Sequence, residues 1–351
     1  MSEENPQRNE LPGADLPALS AWLHQHHAGA IEGDLTGTLV PGGKSNLTYI
    51  IRDGAGHELV LRRPPLGHVL ATAHDMGRES RVIAALAGSA VPVPRVVAVC
   101  ADDTVLGAPF YVMTKASGLA YRTKEELDEL GAERTEAIIE SLMTVLADLH
   151  SIDPGSVGLG DFGRPEGFLT RQVRRWRMQF DASRSRELPG ETALFEALAE
   201  QVPEQGPTGI VHGDYRLDNC LVDVTLDGDP ITAVLDWEMS TIGDPLTDLA
   251  LLLVYSDLGR DPAWSAAVTT APRAAGYPSN SRLIERYASV SDRDLTHLPW
   301  YIALANYKLA GVMEGIHYRF VQGHTVGAGF EHAGGGVDML LSNGLKALRG
   351  S

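Results

Sequence analysis

The run His212-Gly213-Asp214-Tyr215-Arg216-Leu217-Asp218-Asn219 sets a carboxylate five residues ahead of a carboxamide, and Asp236-Trp237-Glu238 follows 22 residues after Asp214. Phosphoryl transfer asks for little covalent chemistry from a protein. It needs a carboxylate near the acceptor hydroxyl and hard oxygen ligands for a divalent ion bridging the nucleotide phosphates. Asp214 is the candidate base or hydroxyl-orienting carboxylate, and Asn219 and Asp236 are the candidate Mg2+ ligands. A bare His-Gly-Asp is also what a polar turn looks like. The Asn at the matching offset, and an Asp closing the apolar stretch Ile231 to Leu235, favour the chemical reading. The 22-residue separation leaves room for one hairpin to bring both loops to one cleft. His212 has no His or Cys at ligand spacing, so it is expected to orient backbone near Asp214 and not to hold a metal.

The elements that must carry these residues fall into two blocks. After a tail over 1–13, Leu16, Leu19, Trp22 and Leu23 recur at helical spacing. Strand-like runs over 34–41, 47–52 and 57–63 are separated by Gly42-Gly43 and by Asp53-Gly54-Ala55-Gly56. A helix over 72–87 and strands over 94–100 and 108–114 complete a small β-rich lobe. The remainder reads as helices over 133–150, 168–186, 191–202, 246–258, 281–290 and 294–320, with a Gly-rich loop over 323–336 before a last helix. A β-like patch at 210–212, 220–224 and 231–235 interrupts them. The expected division is a tail over 1–13, a small lobe over 14–116 and a helical lobe over 117–351, with a hinge near 114–120.

Composition bounds the function. Of 351 residues, 46 are acidic and 29 are Lys or Arg, a formal charge of −17. That balance argues against a dedicated nucleic-acid or anionic-membrane binder, which needs a basic face to displace counterions. No apolar run approaches the roughly 20 residues that span a bilayer. Cys100 and Cys220 lie far apart, in no metal-like or disulfide spacing. The polar N-terminus lacks a signal-peptide pattern. The expectation is a soluble, cytoplasmic protein.

With these motifs in hand, the chain resembles the aminoglycoside phosphotransferase-like kinase family, whose catalytic loop reads H-G-D-x-x-x-x-N where protein kinases have H-R-D. More narrowly it is similar to the kinase-like domain fused to acyl-CoA dehydrogenase family members 10 and 11 and to stand-alone bacterial relatives. Supporting stretches are Gly42 to Tyr49, Val60 to Pro65, Ala73 to Glu79, Gly107 to Met113 and Gly243 to Ala250. The resemblance covers about residues 30–345. It implies an α+β, bilobal protein-kinase-like fold with a small antiparallel-sheet lobe and a larger helical one. It also implies an enzyme that uses ATP and Mg2+ to phosphorylate a hydroxyl.

Further site residues follow from residue type and resemblance together. Gly42, Gly43, Ser45 and Asn46 sit on a turn where small residues let backbone amides approach phosphate oxygens. Arg62 stands where such kinases usually carry the phosphate-gripping Lys, with Glu79 as its helix partner. Arg keeps the charge but is longer and forked, so the exchange is not conservative. By strand alternation Arg63 points to the other face. Adenine is expected against Thr114 to Ala116, with Met113 lining its pocket. Asp244 and Asp248 are expected to cap a helix start and to brace the catalytic loop.

The acceptor is less legible. Arg171, Arg174, Arg175, Arg177, Arg184 and Arg186 fall in one helical stretch against only Asp181 and Glu187. Either this is a solvated helix face, or Arg171, Arg174 and Arg175 form one face for an anionic acceptor such as a coenzyme A thioester. Tyr307 and its neighbours on the last long helix are candidates for the opposite wall. The resemblance implies a hydroxyacyl-CoA-like acceptor and a functional link to acyl-CoA dehydrogenases. The alternatives are an aminoglycoside or amino-sugar acceptor, or a non-catalytic nucleotide-binding protein disabled at Arg62.

Overall fold

The computed structural model describes residues 11–41, 46–66, 75–265, 267–323 and 333–350. The chain forms two compact units: residues up to Ser117 together with Asp236–Glu238, and Gly118–Leu235 together with Met239 onward.

The first unit opens with helix α1 (Leu16–His26), capped where Asp15 accepts the Ala18 amide at 3.0 Å, and its buried side carries Leu19 and Leu23. Strands β1 (Thr36–Leu39), β2 (Leu47–Arg52), β3 (Glu58–Arg63), β4 (Val96–Cys100) and β5 (Phe110–Thr114) form an antiparallel sheet in the order β1-β2-β3-β5-β4. The β2–β3 turn is tied by Asp53, whose carboxylate accepts the amides of Glu32, Ala55 and His57. One sheet face packs Tyr49, Ile51, Leu59, Leu61, Phe110 and Val112 against α1. Trp22 meets Phe110 edge-on at 5.2 Å. Helix α2 (Met76–Leu86) starts at Asp75, which caps the Arg78 amide. Met76, Glu79, Val82, Ile83 and Leu86 lie on its buried side, so helical spacing puts a carboxylate among apolar residues.

The second unit is mainly helical: α3 (Lys124–Leu130), α4 (Ala132–Ser151), α5 (Phe168–Ser183), α6 (Glu191–Glu200), α7 (Leu246–Arg260), α8 (Asn280–Val290), α9 (Leu298–Val321) and α10 (Val337–Leu348). Helix α9 is apolar nearly all round because α5, α6, α7 and α10 pack against it. Two small antiparallel ribbons sit among the helices. Strand β6 (Gly209–Val211) pairs with β9 (Thr241–Gly243), and β7 (Cys220–Val222) pairs with β8 (Ile231–Val234). The β7–β8 pair is the hairpin expected between Asn219 and Asp236. Strand β9 and helix α3 lie outside the elements read from sequence. Helix α9 begins at Leu298, four residues later than expected, with Pro299 in its first turn. Gly118 opens this unit at φ +105°, where a Cβ would come within 2.6 Å of the Val222 carbonyl oxygen. Both cysteines are free and buried. Among the described residues no helix is long and apolar enough to cross a membrane.

Candidate active site

In the second unit, β6 delivers the chain to His212, and the next three residues are held by bonds to their backbone. Asp248, near the start of α7, accepts the His212 amide at 2.6 Å and the Gly213 amide at 2.8 Å. The His212 ring donates from Nε2 to the Leu235 carbonyl at 2.9 Å, which leaves Nδ1 to accept the Asp214 amide at 3.2 Å. Burial works to raise the Asp248 carboxyl. The His150 ring, 3.5 Å away, together with His212 and the Gly213 amide, overrides it and holds Asp248 below its ordinary range. His150 in turn shares a 2.8 Å hydrogen bond with the Tyr287 hydroxyl. Asp248 therefore braces the loop from beneath. Asp244 accepts the Tyr301 hydroxyl at 2.7 Å and the Leu246 amide at 3.1 Å, a capping role.

Asn219 is brought back to Asp214 by a 3-10 turn over Leu217–Asn219. Its Nδ2 donates to the Asp214 carbonyl at 2.8 Å and to Asp214 Oδ2 at 3.1 Å. That orientation leaves Asn219 Oδ1 as the atom able to ligate a cation. The Asp214 side chain is 26% exposed. Arg216 was not singled out from the sequence, yet its Nε lies 3.5 Å from Asp214 Oδ1 and its Nη2 3.0 Å from Asp218 Oδ2. Its guanidinium rests 4.5 Å over the Tyr255 ring. A charge two places after Asp214 was the available signal. Burial holds the Asp218 carboxyl above its usual range, and Arg216 opposes that.

In the first unit, Arg62 and Arg63 diverge from adjacent positions on β3. Arg63 turns into the structure, donating to the carbonyls of Gly13, Pro64 and Leu106. Arg62 forks between two carboxylates: Nε lies 3.0–3.1 Å from the Glu79 oxygens, and Nη2 donates to Asp236 Oδ1 at 2.5 Å. Burial works against the Arg62 charge, and Glu79, Tyr111 and Asp236 override it. Glu79 is 1% exposed. Burial pushes its carboxyl up to about 7, against the pull of Arg62 and with added repulsion from Asp236 and Glu238. Asp236 itself sits at φ +64°, a left-handed conformation uncommon outside Gly that Asp tolerates better than most residues.

Several expected nucleotide contacts are altered. Gly42, Gly43 and Ser45 lie outside the described residues. Asn46 is 3% exposed, and its Nδ2 donates to Glu238 Oε2 at 3.0 Å. The Asn46 side chain thus anchors the segment after Asp236, while the role expected of this turn rests on backbone amides. Met113 is buried in β5. The Thr114 amide donates to the Arg95 carbonyl, and its hydroxyl accepts the Arg95 amide. The Thr114 amide and hydroxyl are thus committed to Arg95, and Ala116 is half-buried.

The supposed acceptor face separates into different roles. Arg171 folds back to donate to the carbonyls of Arg164 and Glu166, tying the turn before α5. Arg177 and Arg184 both pair with the buried Glu191, and Arg186 pairs with Glu314 at 2.8 Å. Three of the six arginines thus pair with carboxylates outside the stretch. Tyr307 is fully buried, donates to Glu191 at 2.7 Å and packs on Phe180, so it belongs to the core and not to an acceptor wall. Arg174 is exposed beside a cleft of about 490 Å3 that Thr170, Phe195 and Glu200 also line. Arg175 lies with its guanidinium 5.4 Å from the Trp176 ring, and Lys308 Nζ lies 5.8 Å from the same ring.

Asn219 and Asp236 are oxygen donors with one oxygen each outside the hydrogen bonds just described, a chemistry that suits Mg2+ and not a soft metal. Among the described residues no three His, Cys, Asp or Glu side chains cluster as a metal site.

The model of the phosphotransferase enzyme family (APH) matches residues 36–282. Acyl-CoA dehydrogenase family member 10 of Mus musculus is 33% identical over 294 residues, covering 83% of this chain and 27% of that protein. Member 11 of Pongo abelii is 33% identical over 317 residues, covering 89% of this chain and 40% of that protein. The chain thus spans well under half the length of these relatives. A crystal structure from Ralstonia eutropha, provisionally assigned as an aminoglycoside phosphotransferase, superimposes with a TM-score of 0.83 at 31% identity. The match covers 96% of this chain and 98% of that one. The fold is α+β and kinase-like, and the chain belongs to the phosphotransferase enzyme family.

Proposed function

We propose that the protein is a Mg2+- and ATP-dependent small-molecule kinase that transfers the γ-phosphoryl group to a substrate hydroxyl. The observation that carries this reading is the hold on Asp214: Asp248 fixes the two preceding amides and Asn219 bonds the Asp214 carboxylate directly. A carboxylate so restrained is suited to orient an acceptor hydroxyl and take its proton as the bond to phosphorus forms. Asn219 and Asp236 are the proposed Mg2+ ligands, and the ion would supply charge neutralisation between the phosphates. Arg62 is the proposed phosphate contact, oriented by Glu79, with Met113 and Ala116 on the adenine side.

The proposed acceptor carries an oxygen-rich or anionic group near its hydroxyl, as a hydroxyacyl-CoA does. Lys308 and Arg175 against Trp176 favour such a group over the ammonium groups of an amino-sugar. The names of the relatives support a link to acyl-CoA dehydrogenation, and the buried free thiols suit the reducing cytoplasm. The test is mass-spectrometric screening for ATP-dependent phosphorylated products across hydroxy acids, hydroxyacyl-CoAs and aminoglycosides, with Asp214→Ala as control. Products that are absent, or equally abundant with the variant, would overturn the reading. Nucleotide binding without any turnover would favour a non-catalytic protein.

A further inference from the structure

Lys308 lies on α9 with its amino group within the second unit, where burial lowers its proton affinity and Asp214 and Asp248 work to restore it. Arg175 and Arg216 are the other charges acting on it, and both oppose the charged amine. Its Nζ donates to the Gly213 carbonyl at 2.8 Å and lies against Trp176. The Gly213 amide is already held by Asp248 at 2.8 Å. Both polar groups of the residue before Asp214 are therefore fixed, the amide by a carboxylate from α7 and the carbonyl by an amine from α9. Rotation of the 213–214 peptide would break the Lys308 bond, and that peptide sets the direction in which the Asp214 side chain leaves the backbone.

We propose that Lys308 is a positioning residue for the transfer reaction: it locks the Gly213–Asp214 peptide and so aims the Asp214 carboxylate at the acceptor. An ammonium carries three donors and the Gly213 carbonyl takes one. The Asp214 charge also acts on the same amine, so the two residues are electrostatically linked as well as joined through the Gly213 carbonyl. The proposal rests on the reading of Asp214 as the acceptor-side carboxylate. It goes beyond that reading because Lys308 lies 94 positions from Asp214 in the chain, outside every loop motif.

The experiment uses the full chain with Lys308→Met and Lys308→Arg, and Asp214→Asn as reference. Steady-state Mg·ATP hydrolysis, with water as acceptor, is the first readout. Lys308→Met is expected to lower kcat by about 10- to 100-fold with KM for ATP within about twofold, the mark of misplaced but intact machinery. Lys308→Arg, which still reaches a carbonyl with a cationic donor, is expected to recover most of that loss. The second readout is hydrogen exchange over residues 209–219, expected to quicken in Lys308→Met while the two ends of α9 keep wild-type protection. A wild-type kcat in Lys308→Met, equal damage in Lys308→Arg, or unchanged exchange over 209–219 would overturn the proposal. If Lys308→Met does not fold, Lys308→Gln and Lys308→Arg carry the same comparison. Wild-type hydrolysis no faster than that of Asp214→Asn is a failure of the kinase reading instead, and the exchange measurement then decides Lys308 by itself.

Discussion

Arg62 and Asp236 form a 2.5 Å charge-assisted hydrogen bond although 174 positions separate them in the chain. The same guanidinium holds Glu79 through Nε, so one cation serves two carboxylates. Replacing Arg62 with Ala strands Glu79 and Asp236 together, one of them 1% exposed. Removing one partner of such a buried pair costs about 3–5 kcal/mol. The expected result is a large fall in the denaturation midpoint, partly recovered in the double variant with Glu79→Gln. No fall in midpoint would contradict the pairing. Arg62→Lys is expected to bind ATP more weakly than wild type, because a single ammonium does not fork between two carboxylates.

Glu79 makes stability depend on pH in a defined direction. Its carboxyl is pushed up to about 7 in the folded chain against an ordinary value of 4.5. Between those values the folded state binds the proton that the unfolded state has released. Its contribution is therefore fully present at low pH and is lost as pH rises through about 7. The slope is at most about 1.4 kcal/mol per pH unit. Because the chain has many other acids, the measurement is the difference between wild type and Glu79→Gln. In metal-free buffer the variant should gain relative stability from pH 4.5 to 7, and a flat difference would refute the raised value.

Asp214→Ala is expected to abolish product formation while ATP binding, followed by calorimetry, changes little. In the proposed role the carboxylate serves the acceptor and not the phosphate grip. Full activity in this variant would rule out the role assigned to Asp214.

Asp248→Ala removes the acceptor of two backbone amides, both in residues that are buried or nearly so. Leaving such donors unpaired costs about 1–3 kcal/mol each. Thermal unfolding should fall accordingly, and turnover should fall further than stability alone explains. Asp248→Asn, which keeps one oxygen acceptor, is expected to lie between the two.

Tyr307→Phe separates a core role from an acceptor role. Loss of the 2.7 Å bond to buried Glu191 should cost about 1–2 kcal/mol of stability, with the acceptor KM unchanged. A raised acceptor KM at constant stability would return Tyr307 to the site.

The elements of the first unit were legible because their physics is local. Short apolar, β-branched and aromatic runs at 47–52 and 58–63, with a Gly-rich turn between, mark β2 and β3, and the two-residue period of a strand divides Arg62 from Arg63. The loop motif was legible because Asp214 and Asn219 lie one tight turn apart. Residues whose roles depend on distant partners were misread. The arginines of α5 look like a basic face until Glu191 and Glu314, supplied by α6 and α9, are set against them. Tyr307 looks amphipathic in sequence, yet its hydroxyl is satisfied inside the core. The Asn46 side-chain bond likewise had no local signal, because its partner Glu238 lies 192 positions away. Strand β9 is three residues long and exists through pairing with β6, so periodicity gives it no signal.

Gly213 adopts φ +89°, and a Cβ there would come within 2.7 Å of Met239 Cβ and the Met239 carbonyl oxygen. The site therefore has no room for the arginine that protein kinases carry between their histidine and aspartate. Conversion of one loop type into the other is not a one-residue change: the segment around Met239 would have to be rebuilt at the same time. In this chain the barrier is steric and does not depend on the substrate.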